Sequence, residues 1–165
     1  MDELLLRKLN FSDKKYFAEW WRDEELLRLT SGILDKISDD EVEEYFSAIL
    51  NSTDDYHFMI DVGDKTVGHL SLSKRENDWY ETQIIIGNKE YRGMGYGSEA
   101  INQLIEKAQD LSISRIYLEV RPDNLRAIKA YEKCGFQKKG IIHYPENKNQ
   151  PETMRMELVN NTIIE

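Results

Sequence analysis

Cysteine, excess positive charge and long apolar runs are all scarce in this chain, and each scarcity removes a class of protein. Cys134 is the single cysteine among 165 residues, which excludes an internal disulfide and suits a reducing cytosol. No apolar run approaches the ~20 residues that a membrane-spanning helix needs. The start, Met1-Asp2-Glu3, also lacks the basic opening of a signal peptide. Lysine and arginine number 22 against 31 aspartates and glutamates, a net charge of −9, which argues against nucleic acid as a partner and suits cationic small molecules or peptides. Solubility alone accounts for such acidity equally well. His57, His69 and His143 are scattered without metal-ligand spacing, so no metal is expected.

What is present is globular: 40% hydrophobic and 32% charged residues, with no internal repeat, low-complexity tract or linker. A single domain over residues 1–165, large enough to bury a core, is the expectation.

The chemistry-bearing stretch is residues 84–100, IIIGNKEYRGMGYGSEA. Ile84, Ile85 and Ile86 form a short β-branched run bounded by Gly87 and Asn88, which reads as a buried strand. Arg92-Gly93-Met94-Gly95-Tyr96-Gly97 follows, and then a helical pattern with Ala100, Ile101, Leu104, Ile105, Ala108 and Leu111 on one face. Alternate glycines between a strand and a helix N-terminus let main-chain N–H groups face a ligand where the helix dipole is positive, an anion site suited to a pyrophosphate. A relaxed G-x-G-x-x-G/A match survives from Gly95 through Gly97 to Ala100, with Glu119 as its acidic residue. That leaves an NAD-type oxidoreductase open, strained by a chain too short for a doubly wound sheet plus a substrate domain. No Gly-Lys-Ser/Thr follows the glycines, which removes a Walker loop.

The same residues resemble the GNAT superfamily of N-acetyltransferases. Its acetyl-coenzyme A loop, [Q/R]-x-x-G-x-[G/A], is matched by Arg92 to Gly97, and a second family motif by residues 124–136, NLRAIKAYEKCGF. The similarity covers residues 66–140 well. It implies an α+β fold, a mixed and mostly antiparallel sheet splayed at a cofactor slot with helices on both faces. It also implies transfer of an acetyl group from acetyl-coenzyme A to a primary amine without a covalent enzyme intermediate.

Along the chain, residues 4–8 read as a first strand and Ser12 as the N-cap of a helix burying Phe17, Trp20 and Trp21. A short helix over 24–29 and a longer one after the capping box Ser38–Glu41 are expected, the latter burying Val42, Tyr45, Phe46 and Ile49. Strands follow at 56–62 and 66–73 around Gly63-Asp64-Lys65, then at 79–87. The long helix should run to about Leu111, with a strand at 115–120, a helix from Asn124 to Lys133 closed by Gly135, and a final antiparallel pair at 137–143 and 154–159.

By the resemblance, main-chain groups of Ile84, Ile85 and Ile86 pair with the pantetheine arm, and the N–H groups of Gly93, Met94, Gly95, Tyr96, Gly97 and Ser98 hold the diphosphate, with Arg92 adding charge. Asn124 and Ala127 line the cofactor arm and Lys133 reaches its phosphates. Asn124 is equally a helix N-cap, and one residue can do both. Tyr131 aligns with the tyrosine that protonates the leaving thiolate, and a phenol with a pKa near 10 is a competent donor at neutral pH. Glu81 occupies the place of a glutamate that deprotonates the amine directly or through water; a solvated edge charge is an equal reading. Glu24, Glu25 and Glu44 are alternative acids, and Trp20, Trp21, Tyr45 and Trp79 could wall a cationic cleft. The favoured acceptor is a polyamine- or aminoglycoside-like amine, with a ribosomal-protein N-terminus as the alternative. A non-catalytic acyl-coenzyme A-binding module is the rival of another class, and a homodimer is left open.

Overall fold

The computed structural model describes residues 2–159, so the expected 1–165 span extends beyond the described residues at both ends. Seven strands form one sheet: β1 (Leu4–Lys8), β2 (Tyr56–Val62), β3 (Lys65–Lys74), β4 (Trp79–Ile86), β5 (Arg115–Val120), β6 (Phe136–His143) and β7 (Glu152–Leu158). Their order is β1-β2-β3-β4-β5-β7-β6, so the last strand inserts between β5 and β6. Every pairing is antiparallel except β4 with β5. A doubly wound parallel sheet is therefore absent among the described residues, and the relaxed dinucleotide fingerprint has lost its fold.

Five helices cover the two faces: α1 (Lys14–Trp20), α2 (Glu24–Leu29), α3 (Asp39–Leu50), α4 (Tyr96–Asp110) and α5 (Leu125–Lys133). Alternation along the strands divides the core. Phe58, Ile60, Leu70, Leu72, Ile116 and Leu118 point to one face, where α4 delivers Ala100, Ile101, Leu104 and Ala108 and α5 delivers Ile128. Met59 points to the other, where Phe17, Trp20, Leu26 and Phe46 of α1, α2 and α3 meet it. Each buried leucine, isoleucine, phenylalanine or methionine among them stabilises the fold by about 1.5–3 kcal/mol of apolar transfer.

Local signals place most element ends. Ser38 and Glu41 form the expected reciprocal capping box of α3. Asn124 caps α5, and Gly135 follows it at φ +108°. The first helix differs: Asn10, not Ser12, is the N-cap, starting a 3₁₀ turn over Phe11–Asp13 that runs into α1. Asp13 Oδ2 accepts in return from Asn10 N and the carboxylate is itself buried, gripped by Arg7 at 2.8 Å and 2.9 Å while Arg7 Nε reaches Asp61 at 2.7 Å. Burial raises the Asp13 carboxyl, but the Arg7 and backbone hydrogen bonds outweigh it and hold the group below the ordinary range.

Trp20 locks the N-terminal helices onto the end of β4. Its indole lies over Gly87, where a Cβ would come within 2.1 Å of the ring, so only glycine admits this approach.

Candidate active site

A slot opens where β4 and β5 part. Trp79, Tyr80 and Glu81 pair with Arg115, Ile116 and Tyr117, and the pairing stops there. Beyond it β4 continues through Ile86, while β5 turns its edge to β7 from Tyr117 to Val120. One edge of residues 82–86 is thus free to take an extended, amide-bearing chain as a further strand. A cavity of about 1020 Å³ occupies the opening, lined along β4 by Glu81 to Ile86 and along β5 by Tyr117 to Arg121. The expected strand residues Ile84, Ile85 and Ile86 all line it, with Ile84 and Ile86 packed toward one core cluster and Ile85 toward the other.

At the far end of β4 the chain enters the glycine loop. Gly93 and Gly95 have φ of +76° and +88°, the left-handed region that glycine adopts without strain. Gly95 is the N-cap of α4 and supplies no side chain, so the first N–H groups of that helix have no cap. A Cβ built on Gly95 or Gly97 meets nothing, leaving the approach to these groups clear. Met94 is exposed and Ser98 half-buried beside them, whereas the Tyr96 side chain is buried in the core against Tyr91, so only its main chain faces the loop.

Arg92 does not turn toward this anion site. Its Nε donates to Ile86 O at 2.7 Å, NH2 to Gly87 O at 2.9 Å and NH1 to Glu25 Oε1 at 3.0 Å. The cation at the loop is Arg126, whose NH2 would lie 2.0 Å from a Cβ at Gly93. Arg126 is not one of the residues the glycine-loop motif names, and its place two residues after Asn124 puts it in the first turn of α5.

Asn124, Ala127 and Tyr131, spaced along α5, line the cavity from the side of the core. Asn124 Oδ1 caps Ala127 N at 3.2 Å. Burial, with a smaller contribution from Cys134, pushes the Tyr131 phenol up to about 12, so it stays protonated throughout the physiological range. Lys133 is exposed in the last turn of α5 and is not part of the cavity lining. The Cys134 thiol packs on Ser98 O at 3.6 Å, and burial pushes it up, away from thiolate reactivity.

The face of the sheet beneath α1 and α2 supplies a polar floor. Glu81 lies at the apex of the slot, where its Oε1 accepts from Arg75 Nε and NH2 at 3.2 Å and 2.9 Å and from Tyr117 at 3.5 Å. Glu119, two residues into the open stretch of β5, has hydroxyl partners instead: Tyr144 at 2.6 Å and Thr153 at 2.5 Å, both on Oε1. No ion pair among the described residues involves Glu119. Ser71 and Ser73, almost wholly buried, also line the cavity. His57 and His69, remote from each other in sequence, stack there with Nδ1 of the first 3.0 Å from Nε2 of the second. Burial and the neighbouring ring push His69 down to about 3, so the pair is neutral at physiological pH.

The roof is built by α2 and by the loop between β6 and β7. Leu26, Leu27, Leu29 and Thr30 face the cavity, and Asn147 Nδ2 donates to Ser31 O at 2.9 Å, joining the two covers. Of the four aromatics expected to wall a cationic cleft, Trp20 and Trp21 line the cavity. Tyr45 is exposed outside it, and Trp79 is covered by Arg115 and Arg155. Glu24 and Glu44 are exposed and outside the lining, and Glu25 is taken by Arg92. Among the described residues no group of three or more His, Cys, Asp or Glu could hold a metal, and no helix is long and apolar enough to cross a membrane.

Comparison with known proteins agrees with this geometry. A family model for the acetyltransferase (GNAT) domain matches residues 3–137. Aminoglycoside N(6')-acetyltransferase type 1 of Klebsiella pneumoniae is 23% identical over 147 residues, 81% of this chain and 69% of that protein. Spermidine N(1)-acetyltransferase of Vibrio cholerae is 30% identical over 107 residues, 62% of this chain and 61% of its own length. Among solved structures, spermidine N-acetyltransferase from Vibrio cholerae in complex with CoA and spermine superposes with a TM-score of 0.83 at 24% identity over 94% of each chain. The aminoglycoside acetyltransferase AAC(6')-Ib with ribostamycin and coenzyme A gives 0.80 at 19% identity, over 96% of this chain and 94% of that one. At these identities the superpositions establish a shared fold.

Proposed function

The chain belongs to the GNAT acetyltransferase family, and from that premise we propose that it moves an acetyl group from acetyl-coenzyme A to a primary amine of a small cationic acceptor. The observation that carries the reading is the parting of β4 from β5 directly before an uncapped, glycine-led helix. The site fits the co-substrate on its own terms. The free edge of residues 82–86 suits the two amides of a pantetheine arm, and the loop from Gly93 to Ser98, with Arg126 over it, suits a diphosphate.

Acetyl-coenzyme A supplies an acyl group activated as a thioester; the residues supply position and protons. The acceptor ammonium, with a pKa near 10, must lose a proton before its nitrogen can form the new bond to carbon. Glu81 is the proposed proton acceptor, directly or through water. Its Oε1 is occupied by Arg75 and Tyr117, which leaves Oε2 as the oxygen for the proton. Glu119 anchors the acceptor's positive charge, because it is a half-buried carboxylate with hydroxyl partners and, among the described residues, no cation of its own. The Tyr131 hydroxyl, kept protonated by burial, donates to sulfur as the carbon–sulfur bond breaks. The bridge from Asn147 to Ser31 joins the two covers over the cavity, which supports a small amine over the N-terminus of a folded protein.

A thiol-release assay with acetyl-coenzyme A against spermidine, ribostamycin and an N-terminal peptide tests the proposal. Thiol release that depends on one of the small amines is the expected result. Release with the peptide alone would overturn the acceptor class, and release with none of a broad amine panel would remove the catalytic reading.

A further inference from the structure

We propose that Arg92 is a positioning residue that couples the two substrates by fixing the acceptor roof to the approach of the cofactor loop, an inference that rests on the acetyltransferase reading. Its guanidinium adds a polar clasp between α2 and the end of β4, which otherwise meet through the apolar packing of Leu26, Trp20 and Ile85. On one side it holds Ile86 O at 2.7 Å and Gly87 O at 2.9 Å, the carbonyls at the end of β4 just before the chain turns into the glycine loop. On the other it holds Glu25 Oε1 at 3.0 Å, with Asp23 Oδ2 at 3.8 Å. Gly93 is the next residue, so the clasp and the diphosphate loop are covalently adjacent.

The far side of the slot has a matching tether. Arg121, immediately after β5, donates from NH1 to Arg28 O at 2.5 Å. The helix α2 therefore lies across the mouth with one arginine from each lip. It has six residues, too few to be helical on its own strength, and buries only Leu26. Leu26 in the core, the Asn147–Ser31 bridge and these two tethers place it, and Asp23 Oδ1 caps it by accepting from Leu26 N at 3.2 Å. Leu26, Leu27, Leu29 and Thr30 face the cavity, so a shift of α2 moves the acceptor wall. Filling the loop with a diphosphate holds Arg92 in this geometry, and a held Arg92 holds the wall. Acetyl-coenzyme A thus raises acceptor affinity, and by linkage the acceptor raises that of the cofactor equally. The planar fork with its several acceptors has no lysine equivalent.

An Arg92 that clasps α2 and an Arg92 that binds phosphate give opposite results. Arg92→Gln, Arg92→Lys, Glu25→Gln and the Arg92→Gln/Glu25→Gln pair are compared with the wild type. Calorimetry gives the coenzyme A Kd, and thiol release gives KM and kcat for spermidine or ribostamycin, whichever the wild type acetylates. Binding of that amine is also measured with and without coenzyme A. The clasp predicts coenzyme A affinity within about 2-fold of wild type and acceptor KM raised about 5-fold or more in each variant. The double variant should be no worse than Arg92→Gln alone. Coenzyme A should tighten the amine by roughly 5-fold or more in the wild type, and hardly at all in the variants. A coenzyme A Kd about 10-fold weaker in Arg92→Gln, with Glu25→Gln silent, would overturn the proposal. If Arg92→Gln fails to fold, Glu25→Gln, at an exposed side chain, decides alone, and an unchanged acceptor KM sinks the clasp. A wild type that binds no coenzyme A refutes the acetyltransferase reading; one that binds it without coupling refutes the clasp.

Discussion

The Tyr144 hydroxyl donates to Glu119 Oε1 at 2.6 Å, holding at the open edge of β5 a carboxylate with no ion-pair partner among the described residues. Burial first, and the hydrogen bond to Glu119 second, raise the Tyr144 phenol, so it remains a donor. In an amine-binding cleft this carboxylate is the natural seat of the acceptor's charge. Glu119→Gln should therefore raise the acceptor KM by about 10-fold or more, the scale of a lost charge-assisted hydrogen bond, while the coenzyme A Kd holds. Steady-state kinetics in both substrates checks this, and an unchanged acceptor KM would relocate the anchor.

Tyr131 should behave as an acid and not as a binding group. Tyr131→Phe removes one oxygen and is expected to lower kcat by about 10²-fold or more while leaving coenzyme A affinity within a few-fold. Because the phenol is pushed up to about 12, no loss of activity between pH 7 and 10 should trace to its ionisation. An alkaline limb in that window that vanishes in the phenylalanine variant would show that burial does not hold the phenol protonated, and an unchanged kcat in that variant would sink the acid assignment.

The His57–His69 pair makes an acid-stability prediction. His69 is pushed down to about 3 when folded, whereas an unfolded imidazole titrates near 6.5. The unfolded chain then binds the extra proton as pH falls through 6.5, so stability is lost from that point down toward pH 3. By pH 5.5 the loss from this one group is about 1.4 kcal/mol. Urea unfolding at pH 7.5 and 5.5 should show the decline, and His69→Gln should flatten it. Equal slopes in the two proteins would mean the ring is not held neutral.

Features written in a few neighbouring residues were legible in the sequence. The Ser38–Glu41 box, the Asn124 cap, the Gly63 turn and the glycine loop each depend on contacts within about one turn of chain, and all appear where expected. Relations across the chain were not. Nothing local places β7 between β5 and β6. Arg92 carries the motif charge but spends it on Glu25, 67 positions away, and leaves the loop to Arg126. Glu119, the acidic residue of the relaxed dinucleotide match, lines the cavity and is bonded by Thr153, 34 positions on, a relation that no local pattern shows. The first N-cap was missed for a different reason: Asn10 and Ser12 are both good caps, and the buried Asp13–Arg7 pair selects Asn10.

Whether main-chain amides from Gly93 to Ser98, beside parted strands, hold the diphosphate of coenzyme A is measured directly by titration calorimetry of the folded wild type. Saturable binding at one site per chain is predicted, weakened about 10-fold or more in Arg126→Ala. No heat of interaction at millimolar coenzyme A would contradict the account.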